Sequence, residues 1–148
     1  MKRNKGVLKM AEKMTRRDIR DSAFKIIYES LLRDDPVEEL FEIAEGIDEI
    51  PVNDDVKQMV TDILSKSEEL DAMISQYSKK RIFSRIAKIN IAILRIAFYE
   101  ILYNDQIPLN AAVHEAVLIA QNYSYKEDIS FVNGILGAYS RSVSGGEQ

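Results

Sequence analysis

The segment Ile91-Ala92-Ile93-Leu94-Arg95-Ile96-Ala97-Phe98-Tyr99-Glu100-Ile101-Leu102 is apolar on almost every side. Wound as a helix it has next to no polar face, so it must lie in the middle of whatever the chain builds, covered by other elements. Its β-branched isoleucines also suit a strand, but a run this long with Ala, Leu and Glu favours helix. Three prolines and six glycines among 148 residues leave little room for the tight turns of an all-β fold. The expectation is an all-α protein the size of one ordinary domain, long enough to close a hydrophobic core.

Periodicity supplies the covering helices. Thr15 is the expected N-cap of a first helix whose apolar stripe is Ile19, Ala23, Ile26, Ile27 and Leu31. Asp35, Pro36 and Glu38 have the spacing of a cap, a first helical residue and a capping-box partner. They open a second helix carrying Leu40, Phe41 and Ala44, which stops near Gly46. Asn53 is expected to cap a long third helix, with Val56, Val60, Ile63, Leu70, Ile74 and Tyr77 on one face. Lys79-Lys80-Arg81 marks a junction, followed by a short helix from Ile82 to Ile86 and then the central apolar helix. Gln106-Ile107-Pro108 opens a further helix with Val113, Ala116, Val117, Ala120 and Tyr123 inward; the last carries Val132, Ile135, Leu136 and Tyr139. The reading is about seven helices in two packed subdomains, about 15–77 and 79–142, within one domain spanning 15–142. A flexible basic extension (1–14) precedes them and a disordered tail (143–148) follows.

Few catalytic chemistries are open to this chain. Cysteine is absent, which excludes disulfides, thiolate metal sites and cysteine nucleophiles. The single histidine, His114, lacks the partners of a triad or a histidine-rich metal site and reads as a partly buried packing residue or an interface hydrogen bonder. Asp54-Asp55 reads as helix-start charge and not as a metal site, and neither GxGxxG nor GxxxxGK occurs. No enzyme activity, cofactor or metal is expected. No stretch approaches the roughly 18 apolar residues that span a bilayer, and the first twenty residues are too charged for a secretory signal. The expected compartment is the cytoplasm, with no membrane partner.

Charge is distributed unevenly. Residues 1–20 hold eight cations against Glu12 and Asp18, a local +6 in a chain of net charge −4, so the remainder carries −10. A basic arm on an acidic body suggests a nucleic-acid contact at one end. Arg16, Arg17 and Arg20 stand together at the start of the first helix, with Lys25 and Tyr28 further along. Guanidinium groups pair with phosphate oxygens two bonds at a time, and a tyrosine beside them can stack on an unpaired base. On composition alone Tyr28 fits the core stripe as well as a ligand.

Four stretches carry a family resemblance. Ile93-Leu94-Arg95-Ile96-Ala97-Phe98-Tyr99-Glu100 is similar to a LRxAxYE motif; Pro108 with Val113-His114-Glu115-Ala116-Val117 is similar to P…INEAV. Phe131-Val132-Asn133-Gly134-Ile135-Leu136 is similar to FVNGxL, and Arg16-Arg17…Arg20…Ala23…Tyr28 to RR..AR..A.Q.LY. In this order and spacing, from about Thr15 to Ala138, they resemble the NusB family of transcription antitermination factors. The resemblance implies two helical subdomains and binding of boxA-type single-stranded RNA together with NusE, a small-subunit ribosomal protein. The complex so formed helps RNA polymerase pass terminators in ribosomal RNA operons. It further implies that Arg16, Arg17, Arg20, Lys25 and Tyr28 meet RNA, with Phe131 near the same surface, and that the C-terminal half faces the basic partner. The chain departs from the family pattern at Asp18, which replaces an arginine, and at His114, Leu118, Gln121 and Gly137. A homodimeric protein-interaction module, without direct RNA contact, is the competing expectation.

Overall fold

A computed structural model describes residues 13–144. Most of the expected basic extension and tail, residues 1–12 and 145–148, lies outside the described residues. Among these there are seven α-helices and no strand: α1 (Arg16–Leu32), α2 (Val37–Glu45), α3 (Asp54–Ser65), α4 (Ser67–Tyr77), α5 (Lys88–Tyr103), α6 (Leu109–Tyr123) and α7 (Lys126–Ser144). One 3-10 turn, Phe83–Arg85, stands before α5, where a short helix was expected. The helices form two compact units that divide between Ser65 and Lys66.

In the first unit α1 packs against both α2 and α3. It contributes Ala23, Phe24, Ile26 and Ile27 to the core, while Ile19 and Leu31 at the ends of the stripe are half-buried. Leu40, Phe41 and Ala44 come from α2, and Val56, Val60 and Ile63 from α3. Each large aliphatic or aromatic side chain buried this way contributes about 1.5–3 kcal/mol, which holds helices too short to persist alone. Asn53 caps α3 as its position suggests, its Oδ1 accepting from the Val56 N–H at 2.9 Å. The cap expected at Asp35 is not made. α2 begins at Val37 behind Pro36, with no side-chain cap, and the Asp35 carboxylate accepts from the Arg33 guanidinium instead. A charged donor two residues away outcompetes a neutral backbone N–H.

The single long third helix is in fact two. Lys66 leaves helical geometry at φ −110°, ψ 15°, and separates α3 from α4. Between Ile63 and Leu70 the apolar stripe has only Lys66 and Ser67 where a core residue would fall, so no burial supports a continuous turn there. The division between units consequently falls at this break and not near residue 78.

α5 is the centre of the second unit, packed on α4, α6 and α7, and Ile91 through Phe98 are all buried. The charge inside this run is answered: Arg95, 8% exposed, donates through Nε and Nη2 to the two oxygens of Asp71 on α4, both at 2.8 Å. α6 presents Ala112, Ala116, Ile119 and Ala120 inward, one position away from the expected face. The alanines let α6 approach α5 closely, leaving Val113 and Val117 half-buried and Tyr123 40% exposed. α7 buries Val132, Ile135 and Leu136. Tyr139 stands edge-on to both Tyr77 and Phe98, with centroids 5.5 Å apart in each pair. A hydroxyl contact of 3.0 Å between Tyr77 and Ser142 completes the tie from the end of α4 to α7. That tie sets where the loop after Tyr77 begins, and so places the groove described next.

Candidate nucleic-acid interface

Two basic surfaces are present, one in each unit. The first is the start of α1, fixed by a reciprocal capping box. The Asp18 N–H donates to Thr15 Oγ1 at 3.1 Å, and the Thr15 N–H donates to Asp18 Oδ2 at 3.2 Å. Asp18, the departure from the family arginine, thus has a structural task as the acidic partner of the cap. Arg16 and Arg17, the first two helical residues, are exposed. Cations at this end oppose the helix dipole, at about 0.3–1 kcal/mol each. Eleven residues at about 100° apiece return Tyr28 to within about 20° of the face of Arg17, about 16 Å along the axis. Tyr28 is half-buried and stacks on Phe24, with centroids 6.0 Å apart and ring planes 3° apart.

The remaining residues expected on this helix are placed differently. Arg20 is only 6% exposed and so is not presented outward. Lys25 is engaged on its own unit, its Nζ lying 3.1 Å from an Asp21 carboxylate oxygen and donating to the Glu49 carbonyl at 3.3 Å. The outward-facing set is therefore Arg16, Arg17 and part of Tyr28.

The second surface lies in the other unit, around the half-buried Phe131 of α7. A groove of about 370 Å³ is lined by Tyr77, Ser78, Lys79, Lys80, Phe131 and Arg141, among others, with no carboxylate among the described residues of its wall. The Arg81 guanidinium lies over the Phe131 ring, 4.7 Å from its centroid. The Ser78 hydroxyl donates to the Arg81 carbonyl at 2.7 Å, closing a turn that holds the loop backbone. Lys80, Arg81 and Arg85 line a neighbouring hollow. Sequence reading treated Lys79-Lys80-Arg81 only as a junction. Its signal was the stretch 79–88, which holds five cations and no acid.

His114 is exposed, not partly buried. Gly134 is exposed and a Cβ there would meet nothing within 4 Å. Gly137 stands one turn before Arg141, whose guanidinium nitrogen would lie 3.3 Å from an added Cβ. Among the described residues no group of three His, Cys, Asp or Glu side chains could hold a metal ion, and no helix is long and apolar enough to cross a membrane.

Known proteins share both the sequence and the architecture. The transcription antitermination protein NusB of Acetivibrio thermocellus is 39% identical over 128 residues, covering 84% of this chain and 87% of the relative. The solved structure of T. maritima NusB superposes with a TM-score of 0.72 at 31% identity, covering 84% of this chain and 89% of that one. A crystal structure of antitermination factors NusB and NusE in complex with double-stranded RNA contains a chain of the same fold, with a TM-score of 0.74 at 24% identity over 86% of this chain and 96% of that one. A family model described as the NusB family matches residues 17–141, from the arginine turn of α1 through the groove on α7, and the chain belongs to that family.

Proposed function

We propose that this chain is a transcription antitermination factor that binds boxA-type single-stranded RNA together with NusE, in the cytoplasm, and so promotes processive transcription of ribosomal RNA operons by RNA polymerase. The observation that carries this reading is the exposure of Arg16 and Arg17 at a helix end where positive charge works against the helix. A phosphate meets an exposed guanidinium in bidentate geometry. Tyr28, on the face of Arg17, offers a ring to an unpaired base, and Phe131 offers another in the second unit. Arg20 positions the helix from within, and Lys25 contributes charge only after releasing Asp21 or Glu49.

A NusB relative has been crystallised with NusE and double-stranded RNA, which supports NusE and RNA in general as partners. The excess acid lies in residues 21–78, at −12, and suits a basic ribosomal protein, whereas residues 79–148 carry +2, so charge does not favour the C-terminal half as the partner face. The test is a titration of labelled boxA-type RNA against the chain alone and then with NusE at one fixed salt concentration. Binding that tightens when NusE is added is the expected result. Equal affinity with and without NusE removes the partner from the reading, and sedimentation of the free chain as a dimer that RNA does not dissociate favours the homodimeric alternative.

A further inference from the structure

The contact between Arg81 and Phe131 has the form of a cover. Arg81 is exposed and Phe131 half-buried, so the guanidinium closes the ring face that would otherwise meet solvent. The loop backbone is pinned by Ser78, so the side chain can leave the ring without moving the chain that carries it. The charged side chains around it are positive: Lys79, Lys80 and Arg141 line the groove on one side, and Lys80 and Arg85 the hollow on the other, with no carboxylate among the described residues of either wall. Among the described residues neither Arg81 nor any of these four cations forms an ion pair with a carboxylate. What such a cluster lacks is an anion.

We propose that Arg81 is a displaceable cover over Phe131, and that single-stranded RNA exchanges a base for the guanidinium on the ring while Arg81 turns to the phosphate beside that base. The proposal rests on the RNA-binding reading above and adds how the second surface is loaded. Both halves of the exchange are downhill. A base stacked on an aromatic ring is held more firmly than a cation at an exposed ring face. The released guanidinium trades a ring contact for a charge-assisted bidentate pair with phosphate. The exchange also selects single strands, because a base paired in a duplex cannot present its face to a ring at the bottom of a groove. Lys79, Lys80 and Arg141 then receive the flanking phosphates.

The arginine Nε–Hε resonance of Arg81 reports the exchange directly in the full chain. In the RNA-free protein its proton is shifted by the Phe131 ring current, and Phe131→Leu, which keeps an apolar side chain, removes that shift and assigns it. Adding an unstructured 12-nucleotide single-stranded RNA to the wild-type chain is expected to abolish the ring-current shift. Arg81→Ala is expected to lower the slope of log affinity against log salt by about 0.7, the value for one phosphate on a single strand. Its affinity at low salt should fall less than about threefold, since loss of the cover compensates in part. RNA that binds while Arg81 keeps its ring-current shift, or an unchanged slope in Arg81→Ala, overturns the exchange and leaves RNA binding standing. RNA that fails to bind the wild-type chain overturns both.

Discussion

At the start of α1 the cations are consecutive residues on a capped helix end, whereas in the second unit they are gathered from the loop after α4 and from α7, around Phe131. The first surface needs only local rules: Thr15 and Asp18 fix the helix start, and Arg16 and Arg17 follow as its first residues. The second needs a packed unit. Its loop begins where Tyr77 is held by Phe98 and Tyr139, and α4 itself is tied to α5 by Asp71 and Arg95. A surface built from one helix end tolerates changes in the core that would disperse a surface built from several elements.

The largest effect should therefore come from cutting a tie in the second unit. Asp71→Ala leaves the Arg95 guanidinium buried without its carboxylate. Asp71 retains 26% side-chain exposure, so the loss is expected near the lower end of the range for breaking a buried pair, about 3 kcal/mol. Urea unfolding monitored by circular dichroism measures it, and a loss below about 1 kcal/mol would mean that α4 is held by apolar packing alone. Thr15→Ala addresses the other surface, removing the cap at about 1 kcal/mol. Because Arg16 and Arg17 are then carried on a frayed turn, the same variant should weaken RNA binding, and unchanged affinity would break the link between cap and contact.

Smaller changes sharpen the contrast from the groove side. Gly134→Ala meets open space and should stabilise the chain by about 0.5–1 kcal/mol through helix propensity; a lowered thermal midpoint would contradict the open geometry. Gly137→Asp places a carboxylate one turn before Arg141. The new pair should stabilise α7 by about 0.3–0.5 kcal/mol and reduce RNA affinity by neutralising one groove cation. Affinity that rises instead would take Arg141 out of the RNA surface.

Legibility in the sequence followed range. The central position of α5 was readable because its own residues leave no polar face, and the start of α1 because caps act over three residues. The α3–α4 break was missed because Val56 through Tyr77 keep a helical period across a two-residue polar gap that periodicity alone does not weigh. The inward face of α6 was set one position away because alanine carries little apolar weight in a pattern, yet alanine permits the closest helix approach. Arg20 looked equivalent to Arg16 and Arg17 by composition, and only packing separates a residue 6% exposed from two that face outward. The Arg81–Phe131 pair joins residues fifty positions apart, beyond any local rule.

The most direct test of the account is the salt dependence of RNA affinity for three proteins: wild type, Arg16→Ala/Arg17→Ala, and Arg20→Ala. Two lost phosphate contacts should lower the log–log slope of the double variant by about 1.4, while Arg20→Ala, buried in the free chain, should keep the wild-type slope. A double variant with an undiminished slope would contradict the claim that the exposed arginines at the head of α1 grip the transcript.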